Sequence, residues 1–398
     1  MSDRDLFLAY GALMAGALVP IYHGSFASLP PSKAPKSKAI KDAADASDSD
    51  VDDDEDQEGL HTETLTSEEA WMFPVLGSAV LLSMYLVFKY VDKKYVDLVL
   101  GAYFGVVGGL AVWKTFGAIA KGVLGKAIWN NFTSYKLRVN RSAGASKQGS
   151  NVKTRSQSKK DKEGEEIFVG RLSILQLPLL ALSGIIVGLY LWTRHWALSN
   201  ILALSLSHNA ISLMALDSFR TGSIMLGGLF LYDIFWVFGT DVMVSVARGF
   251  DGPIKIVWPK NFVQGVWEIA SGAPQPKWQL TMLGLGDIVI PGIFIALALR
   301  FDLQQHRAQN PTSRTRTHFA RPYFVACLTA YILGLSTTMG VMHFFQAAQP
   351  ALLYLSPACV GAILGTSLVK GEFSKVWNWT DESDEEREKR EKEEKKEK

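Results

Sequence analysis

The sequence predicts an all-α polytopic membrane protein that crosses the bilayer nine times. Three observations carry this. Charge and apolarity are segregated: 48 per cent of the 398 residues are hydrophobic and 20 per cent charged, but most of the charge lies in three stretches, 23–70, 120–166 and 371–398, and the rest is apolar almost throughout. That rest contains nine windows, each near the about 20 residues that a helix needs to cross hydrocarbon. Glycines recur inside them, and Gly105 and Gly109 have the small-xxx-small spacing that lets helix backbones approach.

The windows run over 6–22, 71–91, 95–119, 172–192, 196–216, 221–247, 280–299, 323–345 and 348–369. The first follows Met-Ser-Asp-Arg-Asp, which is no basic leader, and no small-x-small cleavage site comes after it, so it reads as a retained span. The acidic run Asp42–Glu58 and the Ser/Lys-rich Arg141–Lys162 read as solvated linkers. The chain therefore divides into a three-helix membrane part (1–119, with the acidic linker 23–70), a basic linker (120–166), a six-helix membrane part (167–370) and a charged tail (371–398). A net charge of +2 offers no basic footprint for nucleic acid. Two cysteines, Cys327 and Cys359, both in apolar runs, build neither a disulfide framework nor a cysteine-rich metal site. No cofactor and no metal is implied.

Nine spans put the termini on opposite faces. Residues 120–170 hold eleven Lys and Arg against four acidic residues, and the 300–322 connection adds Arg300, Arg307, Arg314, Arg316 and Arg321. The positive-inside rule makes both cytoplasmic. The N-terminus and the 248–279 loop, with four basic residues in 32, then face the lumen, and the tail is cytoplasmic.

An ionisable side chain at membrane depth costs several kcal/mol and calls for a reason. Asp233 stands in Leu229-Phe230-Leu231-Tyr232-Asp233-Ile234-Phe235-Trp236, and Asp287 in Leu283-Gly284-Leu285-Gly286-Asp287-Ile288-Val289. With Asp241 marking the lumenal end of the sixth span and Leu280 that of the seventh, a helical rise places Asp233 about 12 Å and Asp287 about 10 Å deep. The two carboxyls can meet at one level. Like charges held close cannot both ionise, so such a pair shares a proton: one member activates water and the other donates to a carbonyl and then to a leaving nitrogen. Gly284 and Gly286 weaken the helix and clear backbone for an extended peptide, and irregular backbone at this depth is tolerated where it lines an enclosed or watered cavity. Gly-Leu-Gly-Asp alone also suits a glycine packing face with a protonated Asp. Pro350-Ala351-Leu352, taken alone, reads as a helix start.

Together, Tyr232-Asp233, Gly284-Leu285-Gly286-Asp287 and Pro350-Ala351-Leu352 resemble the motif set of the presenilin-type intramembrane aspartyl proteases, the GxGD fold. The longer runs Gly-Gly-Leu-Phe-Leu-Tyr-Asp-Ile-Phe-Trp-Val-Phe-Gly-Thr and Gln-Pro-Ala-Leu-Leu-Tyr-Leu are similar to the signal peptide peptidase branch, a likeness strong from about residue 165 to 371. The resemblance implies nine spans, Asp233 and Asp287 as the catalytic pair, and Tyr232, Gly284, Leu285, Gly286, Pro350, Ala351 and Leu352 as lining of the substrate site. It implies cleavage of membrane-embedded peptides: remnant signal peptides and other type II-oriented segments, whose N-termini are cytoplasmic. The lumenal placement of the 248–279 loop by charge agrees with that branch and is opposite to presenilins. Lys395 and Lys396, fourth and third from the end, look like a dilysine retrieval signal, which points to the endoplasmic reticulum membrane. Partners beyond substrate and lipid would be a second copy of the chain or components of membrane-protein degradation.

Two other classes share some of these features. Paired acids on glycine-broken helices also build the ion site of a proton- or cation-coupled transporter, although the two halves show no internal repeat. A non-catalytic adaptor for membrane-protein degradation would bind the same substrates without cutting them. Orientation has its own check: Asn131, Asn140 and Asn378 head sequons in segments read as cytoplasmic. Glycosidase treatment is expected to leave the mass of the expressed protein unchanged, and a shift abolished by substituting one of these asparagines would reverse the topology.

Overall fold

The computed structural model describes residues 3–30, 63–125, 134–140, 166–240, 242–243, 246, 252–271, 278–310, 318–345 and 349–381. Eleven helices and six strands follow in the order α1 (Asp3–Ala27), β1 (Glu63–Leu65), α2 (Ser67–Tyr90), α3 (Lys93–Leu124), β2 (Ser134–Asn140), β3 (Glu166–Ser173), α4 (Gln176–Thr193), α5 (Trp196–Leu213), β4 (Met214–Leu216), α6 (Phe219–Phe238), β5 (Lys255–Pro259), α7 (Phe262–Ala270), β6 (Leu280–Gly284), α8 (Gly286–Gln309), α9 (Pro322–Phe345), α10 (Leu352–Val369) and α11 (Phe373–Trp377).

Seven of these helices, α1 to α4, α6, α9 and α10, are long and apolar enough to cross a membrane. Large apolar side chains such as Val75, Leu98, Val106, Leu177 and Leu333 stand on their outer faces, an arrangement that lipid satisfies and water does not. α8 occupies the centre, packed by α1, α5, α6, α9 and α10. Its run from Ile293 to Phe301 is buried all round, as for a helix that touches protein on every side. Glycines set the closest approaches: a Cβ on Gly222 of α6 would meet Phe294 of α8 at 2.5 Å, and one on Gly292 would meet Ile211 of α5 at 2.6 Å. Phe219 fills the same seam, edge-on to Phe294 and Phe301 with centroids 5.9 and 5.4 Å away.

α2 docks on α6 in parallel. Ser67 Oγ lies 2.7 Å from Thr221 Oγ1, Pro74 fills the space over Gly228, Gly77 lies against the Tyr232 ring, and Trp236 Nε1 donates to Ser78 Oγ over 3.0 Å. β1 and β4 lead into these two helices and pair in parallel, which aligns their first turns.

The expectation of helix alone needs correcting, because among the described residues there are three two-stranded sheets, β1–β4, β2–β3 and β5–β6. The apolarity of the seventh window predicts helix from residue 280, but Leu280–Gly284 is a strand and the helix begins at Gly286. Glycines on both sides of Leu285 disfavour helix there, and antiparallel pairing with β5 satisfies the backbone instead. In the sixth window, which the sequence extends to 247, α6 ends at Phe238, where Gly239 packs against the Phe235 carbonyl too closely for a Cβ, and residues 242, 243 and 246 are again helical. The 248–279 loop carries β5 and the amphipathic α7, whose Val263, Val266 and Trp267 face outward. The acidic run 42–58, the basic segment 141–162, Asp241, Asn131, Lys395 and Lys396 lie outside the described residues.

The chain after α10 is packed as far as Asp381. Tyr323 Oη donates to Glu372 over 3.0 Å, Val376 is buried, and Trp379 lies against Phe219 and Phe301 and bonds to Gln304. Thr380 bridges to Ser218, and Asp381 pairs with the buried Arg300 over 2.7 Å. The segment thus ties α6, α8 and α9 together at one end of the bundle. Asp381→Ala leaves Arg300 buried without its counter-ion and is expected to cost about 3 kcal/mol, read as a lower unfolding temperature in detergent. Replacing both partners with leucine is expected to recover part of it.

Candidate active site

Asp233 lies on the inner face of α6 and is 4% exposed. The group it meets is a helix end: the backbone N–H of Leu352, first residue of α10, donates to its Oδ2 over 3.2 Å. That N–H has no acceptor inside its own helix, and the N-terminal end of the helix dipole favours negative charge. Pro350, Ala351 and Leu352 are all buried, and the Ala351 carbonyl accepts from the amides of Tyr354 and Leu355, both at 3.1 Å, which opens the helix. The proline-led segment is therefore a helix start, and it is also what presents a backbone donor to the carboxylate.

Asp287 is the second residue of α8, at the joint where β6 turns into helix. Its carboxylate folds back over Gly284, where a Cβ would come within 3.3 Å of Oδ2. A side chain at 284 would press on the carboxylate. Leu285 closes the joint: its amide donates to Ile254 over 2.9 Å and its carbonyl accepts from Val289 over 2.8 Å. Gly286 is exposed and a Cβ there would make ordinary contact only, at 3.9 Å from Ile290, so its lack of a side chain leaves the adjacent surface open. Tyr331 of α9, fully buried, donates through its hydroxyl to the Asp287 carbonyl over 3.3 Å.

α6, α8 and α10 pack on one another, and the two carboxyl groups stand within Coulombic range. Tyr232 is placed differently from the other expected lining residues, with its ring on Gly77 of α2. The depth estimate for Asp287 also changes. Residues 280–284 are extended and rise about 3.3 Å each in place of about 1.5 Å, so the same count of residues reaches deeper. Among the described residues no group of three or more His, Cys, Asp or Glu side chains is placed to hold a metal.

Two supports escaped the sequence reading. Asn200 of α5 covers the outer edge of β5, its Nδ2 donating to the Val257 carbonyl at 2.7 Å and its Oδ1 accepting from the Val257 amide at 2.9 Å. Tyr331 anchors the head of α8. A polar Asn inside an apolar window was a usable signal for the first, but an aromatic among aromatics gave none for the second.

The family model described as "Signal peptide peptidase" matches residues 57–383. The chain belongs to the signal peptide peptidase family. The signal peptide peptidase of Mus musculus is 38% identical over 384 residues, 96% of this chain and 85% of the relative. That of Homo sapiens is 36% identical over 382 residues, covering 96% and 86%. A probable intramembrane protease of Schizosaccharomyces pombe is 35% identical over 314 residues, covering 79% and 83%. As a member of the signal peptide peptidase family the chain is an intramembrane aspartic protease, which sets the transporter reading aside.

The contact between Leu352 and Asp233 can be removed at the backbone. Replacing the Leu352 amide by an ester, through the α-hydroxy acid of leucine, deletes the N–H while keeping the side chain and the helical backbone of Ala351, which a proline at 352 would disfavour. A hydrogen bond to a charged group contributes about 1.5–3 kcal/mol, so peptide cleavage by the ester variant is expected to fall on the order of tenfold below that by the wild type.

Proposed function

We propose that Asp233 and Asp287 are the catalytic pair and that the protease cuts remnant signal peptides and other type II-oriented segments within the endoplasmic reticulum membrane. The observation that carries this reading is the convergence of both carboxyls beside the end of a strand with one open edge. In the β5–β6 register, Val257 opposes Met282, and Asn200 occupies the outward amide and carbonyl of Val257. The outward groups of β6 are, by alternation, those of Leu280, Met282 and Gly284. Leu280 and Met282 are 41% and 51% exposed. A substrate unwound from its helix can add there as a further strand, and following β6 brings its backbone to Asp287.

The reaction needs one proton shared between the two acids. The ionised member takes a proton from water as it attacks the scissile carbonyl, and the protonated member donates to the carbonyl oxygen and then to the leaving nitrogen. Gly284, Leu285 and Gly286 shape the approach to Asp287, Pro350, Ala351 and Leu352 hold the donor on Asp233, and Tyr232 lines the seam with α2.

The reading includes nine spans. α5 and α8 join the seven apolar helices: at 18 and 24 residues they reach about 27 and 36 Å, and being wrapped by other helices they need no fully apolar surface. The N-terminus is then lumenal and the C-terminus cytoplasmic, with Lys395 and Lys396 available for retrieval. The divisions 1–119, 120–166, 167–370 and 371–398 stand as the functional parts, the first flanking the catalytic helices through α2 and α1.

In vitro cleavage of a signal-peptide substrate in detergent tests the pair. Asp233→Asn and Asp287→Asn are each expected to lower the rate at least about a hundredfold, within the about 10²–10⁴ that general acid–base catalysis supplies. Wild-type cleavage by either variant would sink the assignment. Co-purification of uncut substrate with the inactive variants separates loss of chemistry from loss of binding. The wild-type rate is expected to follow a bell-shaped pH profile, falling on the acid side as both carboxyls protonate and on the alkaline side as both ionise.

A further inference from the structure

On the outer side of the bundle, α1 and α9 lie next to each other and diverge. At one end they meet through aromatic rings: Phe324 of α9 lies against Tyr22 and Phe26 of α1, with centroids 6.1 and 5.9 Å away. Toward the other end, where α1 begins and α9 finishes, a groove of about 310 Å³ opens between them. Phe7, Tyr10, Gly11 and Met14 line it from α1, and Ser336, Met339, Gly340 and His343 from α9. Each set has the i, i+3, i+4, i+7 spacing of a single helix face. A glycine stands at the middle of both walls, and a Cβ on Gly11 or Gly340 would meet nothing within 4 Å. Met339 is buried at the base, and Phe7 is 70% exposed at the rim.

The lining selects an occupant. Both helices are long and apolar enough to cross the membrane, so the groove opens on a face that lipid covers. Among the described residues no lysine, arginine or carboxylate lines it, and nothing there would recognise a phosphate. Hydrogen-bonding groups gather toward the open end: His343 stands two residues before the end of α9, about 3 Å inside it, and the Tyr10 ring meets it edge-on with centroids 6.3 Å apart. Deeper in, Ser336 donates to the Ile332 carbonyl of its own helix over 2.7 Å. From Phe7 to Met14 the groove runs about 10 Å, short of the about 20 residues of a spanning helix, and the rings of Tyr22, Phe26 and Phe324 block its continuation. A partner helix cannot lie along it, whereas the volume falls within the roughly 300–1,000 Å³ of small-molecule sites. With no charged anchor, a rigid ligand that loses little freedom on binding is favoured over a flexible acyl chain.

We propose that this groove binds a sterol, its flat fused-ring body against Gly11 and Gly340 and its single hydroxyl toward Tyr10 and His343. The site is independent of the catalytic assignment.

The test uses the full chain in phosphatidylcholine nanodiscs, with a diazirine-bearing cholesterol and a diazirine-bearing phosphatidylcholine as photoprobes and the adducts mapped by peptide mass spectrometry. Cholesterol adducts are expected to concentrate on the peptides that carry residues 7–14 and 336–343, and to fall when unlabelled cholesterol competes. Gly11→Leu and Gly340→Leu fill the groove where the fold leaves room, and each is expected to lower that labelling about fivefold, as for the loss of about 40 Å² of apolar contact. Gly188→Leu, at an equally open glycine of α4, is expected to leave it unchanged, with unfolding temperatures reporting that all three variants are folded. Cholesterol adducts spread evenly over the outer helix faces, or undiminished in both groove variants, overturn the site. Phosphatidylcholine adducts of equal density and equal sensitivity overturn the sterol in favour of an acyl chain. Disulfide-linked chains formed through Gly340→Cys, without cholesterol adducts in the groove, overturn it in favour of a second copy.

Discussion

Much of this structure depends on the need to give a buried carboxyl group a donor where water is scarce. Asp233 stands in a helix that is otherwise apolar, and burying a charge without a partner costs far more than a protein can absorb. The solution is the start of α10, whose first amide is unpaired by geometry and is spent on Asp233. One contact thereby answers two deficits, the helix end's missing acceptor and the carboxylate's missing donor. It also fixes where α10 begins, and so why proline and a small residue precede it.

The second acid is held by a different device. Asp287 stands where a strand becomes a helix, and that change of conformation is sustained by neighbours. Asn200 covers one edge of the sheet, Leu285 hooks onto Ile254, and Tyr331 holds the head of α8 from the side. Gly284 is required because the carboxylate lies over it. Gly286 meets no such contact, and its lack of a side chain leaves surface open. The two glycines of one short motif thus differ in physical cause.

Around this centre, parallel docking of α2 on α6 and the packed segment from Glu372 to Asp381 brace the aspartate helices from outside. Both use polar contacts at the ends of apolar seams: Ser67 with Thr221, Ser78 with Trp236, Asp381 with Arg300. Lipid supplies no drive to press apolar helices together, so small residues and buried polar pairs specify which faces meet.

Sequence alone determined the membrane class, the approximate helices and the residues at which apolar windows are interrupted, because a charge, a glycine pair or a proline in hydrocarbon is costly enough to be conspicuous one residue at a time. Asp233, Asp287 and the Gly284–Gly286 pair were legible for that reason, whereas Pro350 taken alone read as a helix start and was tied to the site only by the resemblance of the three motifs together. Tertiary structure decided what those interruptions do. That residues 280–284 are a strand follows from pairing with residues twenty-five positions earlier, and periodicity cannot see a partner at that distance. That Leu352 matters through its amide follows from where a helix begins relative to another helix, 119 residues away in the chain. Tyr232 faces α2, and the tail is packed as far as Asp381, because neighbouring faces offered Gly77 and Arg300. Local chemistry is written in single residues, whereas partnership is a property of distances that only the folded chain sets.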